Sequence, residues 1–189
     1  MQHYGAPTRL LDFTYSIYVA AYFAFERSVG KYAAIWSIDA KWAARASEDV
    51  LRSAGRTDVD TLGTPTDESD EATISSLIFG NPMRFAWPLT PFRLNERLQI
   101  QKGTFLVPGD VGATVMQNLA ALSGYDSPGR VVKILLPRRF RSDALRQLFH
   151  MNISATSLFP GLDGYAASLG VYHPTVWHPI RWNRPGRIK

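Results

Sequence analysis

Cysteine is missing from all 189 residues, which removes disulfide frameworks, thiolate zinc sites, iron–sulfur clusters and cysteine nucleophiles together. Long apolar runs are missing too. The longest, Ile17 to Phe25, is closed by Arg27 and falls well short of the ~20 apolar residues needed to cross a bilayer. The start shows no basic stretch followed by an apolar one, so no export signal is read there. We therefore expect a cytoplasmic protein with no membrane partner. Disorder is excluded by composition: 46% hydrophobic and 20% charged residues are the shares of an ordinary packed domain, and the length suits a single domain over 1–189.

Charge is unevenly distributed. The net charge is +5, yet residues 130–189 hold ten Lys/Arg against two acids, leaving eleven basic and fourteen acidic residues in 1–129. A cationic C-terminal third steers nucleic acid or an acidic protein partner through long-range attraction, and Trp177, Arg181, Trp182, Arg184 and Arg187 interleave rings with charge there. Residues 183–189 form its basic tail. The competing reading is a solvated chain end beside a final apolar strand.

Along the chain, Tyr15 to Arg27 predicts a helix apolar on every side, capped by Thr14. A buried strand follows at Tyr32 to Ile38. Residues 39–76, polar and acid-rich around Gly63 and Pro65, are expected to be an insertion or mobile excursion. Leu98 to Val107 predicts a strand interrupted at Gly103 by a bulge or a close backbone approach. Val111, Val115, Leu119 and Leu122 recur at helical spacing, and Arg130 to Leu136 predicts another strand. Ser142 is expected to cap a helix burying Leu145, Leu148 and Phe149, and a further helix is expected around Tyr165 to Leu169. The class is α+β, with helices packed on a small mixed β-sheet.

The candidate chemistry lies at the opening. Gln2, His3, Tyr4, Gly5, Ala6, Pro7, Thr8, Arg9 and Asp12 to Thr14 concentrate complementary polar groups immediately before the apolar helix. A helix start offers unpaired N–H groups and partial positive charge, so with Arg9 it suits a phosphate or pyrophosphate. His3 titrates near neutral pH and suits a ribose hydroxyl or general acid–base work. Asp12 would orient Arg9 or His3. The competing reading makes Asp12 and Thr14 mere helix-entry groups and Arg9–Asp12 a structural ion pair. His3, His150, His173 and His178 are too scattered for a metal site, and none is expected.

Gln2-His3-Tyr4-Gly5, Thr8-Arg9-Leu10-Leu11-Asp12-Phe13-Thr14 and Ala20-Ala21-Tyr22-Phe23-Ala24 resemble the FRG domain signature. The resemblance continues through Arg93, Arg97, Gln101, Gly103 and Phe105 and ends at Leu158-Phe159-Pro160-Gly161-Leu162-Asp163-Gly164. The family is named for an upstream Phe/Tyr-Arg-Gly tripeptide. None precedes Gln2 here, from which we expect a form shortened at its N-terminus.

The resemblance fixes a family more firmly than a function. An ordering of parts similar to ADP-ribosyltransferase folds, with an early Arg, a Thr-containing turn, an aromatic-rich helix and a late Gln, implies handling of NAD as co-substrate. Gln2, Tyr4, Thr8, Arg9, Asp12 and Thr14 would hold the nucleotide, while His3, Gln101 and Glu96 would be the catalytic candidates. Gln101 weighs against strong catalysis, since departing nicotinamide leaves positive charge that a carboxylate stabilises better than an amide. Against this stands a non-enzymatic nucleic-acid or protein-binding module using the basic C-terminal face. An interaction domain in a bacterial defence or toxin setting is the third reading.

Overall fold

The computed structural model describes residues 10–26, 28–56, 59, 82–91 and 95–161. Within them the chain forms β1 (Leu11–Thr14), α1 (Ile17–Glu26), β2 (Tyr32–Ile38), α2 (Ala40–Ser53), β3 (Ala86–Leu89), α3 (Glu96–Ile100), β4 (Gly103–Pro108), α4 (Val115–Ala120), β5 (Val131–Pro137), a 3-10 turn at Arg138–Phe140, α5 (Arg141–His150) and α6 (Ala155–Leu158). This is an α+β arrangement. Its strands form two small sheets, ordered β1-β4-β3 and β2-β5, rather than one mixed sheet. Every pairing among the described residues is antiparallel. No helix among them is long and apolar enough to cross a membrane.

β4 is the centre. All six of its residues are buried, because it is flanked by a strand on each side and packed by α3. The main core gathers Trp42, Ala43, Ala46 and Leu51 of α2 against Phe85, Trp87, Leu106, Val107 and Leu119. A second cluster joins Val19 and Tyr22 of α1 to Leu148, Ala155 and Leu158.

Several expectations are corrected. Residues 40–53, assigned by composition to a polar excursion, form an amphipathic helix whose apolar side completes the main core. Acids and bases on the opposite side hid its 3.6-residue spacing. Asp39 caps it, accepting from the Trp42 N–H. α1 is one-sided, with Val19, Tyr22 and Phe25 buried but Ile17 50% and Tyr18 53% exposed. Its cap is Ser16, whose hydroxyl accepts from the Val19 N–H. Thr14 instead ends β1, a strand the motif-centred reading missed. Leu98 to Ile100 is helical and the strand begins only at Gly103, although the close approach there is real: a Cβ on Gly103 would stand 2.5 Å from Leu98 Cδ2. Val111 lies before α4, Ser142 lies inside α5 with no side-chain cap at its start, and Phe149 is exposed. Tyr165 to Leu169 lies outside the described residues.

Candidate functional site

Residue alternation along a strand separates the two faces of the β1-β4-β3 sheet. Directly paired residues share a face, so the register Phe13–Thr104, Leu11–Leu106 and Leu106–Pro88 defines one side, and Asp12–Phe105, Thr14–Gly103 and Phe105–Leu89 the other. Each side carries its own polar arrangement.

On the Phe13 side a cleft of about 210 Å³ opens between this sheet, the start of α1 and strand β2. Phe13, Ile17, Ala20, Ile35, Trp36 and Leu106 line it with Tyr15, Ser37 and Thr104, and no charged residue is among its lining. The hydroxyls are directional. Thr104 donates to the Leu89 carbonyl at 3.0 Å. With that proton committed, the 3.0 Å contact between Thr104 and Thr90 has Thr90 as donor, and the 3.0 Å contact between Thr90 and Tyr15 has Tyr15 as donor. The relay therefore shows a ligand its lone pairs and no free protons, and a guest that donates N–H groups complements it.

On the opposite side the Gln-x-Gly-x-Phe segment is a structural joint. Gln101 closes α3, its buried side-chain amide donating to the Leu158 carbonyl at 2.9 Å. Its own carbonyl accepts the Thr14 hydroxyl at 2.7 Å. Lys102 adopts a positive φ of 49° and its carbonyl accepts the Tyr15 N–H at 3.0 Å, so the chain reverses from α3 into β4 within two residues. Phe105 then enters the core. One turn before Gln101, Arg97 lies on the same face of α3. Its guanidinium covers the Phe159 ring at 4.5 Å, and Phe159 in turn meets Phe23 edge-on at 5.9 Å.

The expected site residues are thus distributed unevenly. Gln2, His3, Tyr4, Thr8 and Arg9 lie outside the described residues. Asp12 is exposed on the strand face opposite the cleft. Thr14 joins β1 to α3, accepting also from the Ser16 N–H at 3.0 Å, so its hydroxyl is engaged in scaffolding. Glu96 is exposed in the first turn of α3, and Gln101 holds α6. Thr14 and Gln101 are brought together, and Thr14 also lines the cleft; Asp12 and Glu96 are not among the residues lining it. Sequence reasoning missed Tyr15, Ser37 and Thr104, which carry no motif and meet only through the antiparallel register. No group of three or more His, Asp or Glu among the described residues is placed to hold a metal ion.

The FRG domain family model matches residues 1–32, the opening motif through α1 to the first residue of β2. No curated protein and no solved structure matches the chain.

Proposed function

We propose that this chain, whose first 32 residues match the FRG domain model, is a nucleotide-binding domain of NAD type, with the charge-free cleft at the start of α1 taking the neutral ring of the nucleotide. The cleft's lining carries the reading. Aromatic and aliphatic walls suit a planar ring, and the accepting hydroxyls of Tyr15 and Thr104 suit the exocyclic amine of neutral adenine. Size supports a part rather than a whole ligand: pockets for complete small molecules run to roughly 300–1,000 Å³, whereas this one holds about 210 Å³. Phosphates would lie outside it, since an uncharged apolar cleft offers them nothing in place of water.

ADP-ribosyl transfer asks for more than binding. A carboxylate beside the ribose would stabilise the developing cation, and Glu96 and Asp12 both sit away from the cleft. The reading is accordingly of a binder, with nicotinamide release as the measurement that would extend it to a transferase.

The test is thermal stability of the full chain titrated in parallel with NAD, nicotinamide and short RNA. A ligand that binds only the folded state raises stability, by ~2.7 kcal/mol at a hundred times its Kd. We expect a saturable rise with NAD that is lost in Ser37→Phe, where an exposed β2 side chain is enlarged into the cleft. Salt-sensitive RNA binding with no NAD response would overturn the reading and move the function to the basic C-terminal third.

A further inference from the structure

We propose that Arg97 and Phe159 form an oxyanion-binding site for a phosphate or carboxylate group, distinct from the cleft and independent of what the cleft holds. Helix α3, which carries Arg97, is fixed at three points. Asn95 caps it by accepting the Leu98 N–H at 2.8 Å, Leu98 anchors it in the main core, and Gln101 ties its end to the Leu158 carbonyl. The i, i+4 spacing then aims Arg97 at the residue following Leu158, and the guanidinium lies over the Phe159 ring. Phe159 is itself braced by Phe23 of α1. The guanidinium is therefore held on a rigid aromatic shelf rather than on a mobile stem.

Its inner donor is unused. Arg97 Nε is buried and has no hydrogen-bond partner among the described residues. Arg97 also takes part in none of the ion pairs found among them, which join Arg84 to Asp110, Arg130 to Asp39 and Arg146 to Asp143. Two other half-buried arginines with described partners behave differently. Arg130 bonds Asp39, and Arg141 gives Nε to the Phe25 carbonyl at 2.7 Å and a terminal nitrogen to the Glu26 carbonyl at 2.9 Å. Buried donors without partners are rare in folded proteins and destabilising, the more so on a charged group. An aromatic face attracts the cation but accepts no conventional hydrogen bond from the edge of the fork. The outer edge of the fork, whose terminal nitrogens are not among the buried unpartnered atoms and have no ion pair among the described residues, matches two oxygens of a phosphate or carboxylate, and the neighbouring Nε–H reports its arrival.

The experiment follows the Arg97 Nε–H resonance of the full chain by nitrogen-15 NMR during titration with inorganic phosphate, pyrophosphate and acetate. Thermal stability under the same additions is measured for the unmodified chain, Arg97→Lys and Arg146→Gln. We expect a saturable shift of the Arg97 Nε–H signal, with phosphate against acetate telling which oxyanion is preferred. Affinity should fall about ten- to a hundredfold in Arg97→Lys, which keeps the charge but loses the fork, and remain unchanged in Arg146→Gln. An Nε–H signal that no anion moves would overturn the proposal, and so would an Arg97→Lys protein that responds as the unmodified one does. If Arg97→Lys does not fold, the Nε–H titration decides alone. Ser37→Phe separates the two sites: retained phosphate binding with lost NAD binding leaves each standing on its own.

Discussion

On one side of the three-stranded sheet, Tyr15, Thr90 and Thr104 pass their protons in one direction to the Leu89 carbonyl and leave a neutral, apolar cleft. On the other, Thr14 and Gln101 lock α3 to β1 and α6, and Arg97 stands over Phe159 with an unshared buried donor. One side is uncharged, walled by apolar residues, with Tyr15, Thr90 and Thr104 bonded in one direction. The other concentrates its hydrogen bonds in the joint and leaves a charge in reserve. The residues most conspicuous as a motif, Thr14 and Gln101, hold the scaffold together, with Thr14 also lining the cleft, while Tyr15, Ser37 and Thr104 line it without forming any motif.

Four changes sharpen or break that contrast. The strongest is Gly109→Ala, which acts on the frame both sides share: a Cβ there would run into the Met83 carbonyl oxygen and the Phe85 ring. A backbone oxygen does not swing aside, so we expect at least about 3 kcal/mol of destabilisation by urea unfolding. Next, Gln101→Ala should cost ~1–3 kcal/mol, because the Leu158 carbonyl loses its buried donor. The folded fraction should still bind NAD, whereas a catalytic Gln101 would lose turnover with stability intact. Third, Thr104→Val leaves the Leu89 carbonyl without its buried hydroxyl donor and should cost ~1 kcal/mol, weakening cleft binding while leaving phosphate binding unchanged. The smallest effect belongs to Asp39, which sits between the cleft-lining Ile38 and Ala40 but is not itself in the lining. The Trp42 N–H, opposed by burial and aided by the Arg130 guanidinium, holds its carboxyl below the usual carboxylate range. A depressed folded pKa means that its stabilisation is complete above the unfolded value and is lost as pH falls through the folded one, that is from about pH 4 downward. Asp39→Asn should flatten that acid limb of a stability-against-pH curve and leave both binding responses intact.

The strand at Tyr32 to Ile38 was legible from its Tyr, Trp and two Ile, and its bounds match β2, but it is not the buried strand expected: Ala33 and Ile35 are buried while Tyr32, Ala34, Trp36 and Ser37 are exposed. Gly103 was legible as a close approach because a glycine inside an apolar run marks a point where neighbouring atoms leave no room for a side chain. α2 was not, since its acids and bases mask a spacing that only a helical projection reveals. The helical α3 was read as strand because five residues, Glu96–Ile100, are too few to establish a period. The cleft was invisible for a different reason: Tyr15, Ser37 and Thr104 lie far apart in sequence, and what joins them is the register of two sheets, which no local pattern encodes. Arg97 was noted only as part of a motif. Its importance rests on a missing hydrogen bond, and a sequence does not show hydrogen bonds.

The central claim is that the uncharged cleft takes the neutral ring of a nucleotide. Protein-observed NMR with adenine and then NAD, in the unmodified chain and in Ser37→Phe, tests it most directly. The account predicts saturable shifts centred on Tyr15, Ser37 and Thr104 that vanish in a folded Ser37→Phe protein, with inorganic phosphate producing none there. Shifts elsewhere in the chain, or a folded Ser37→Phe protein that binds as well as the unmodified one, would contradict it.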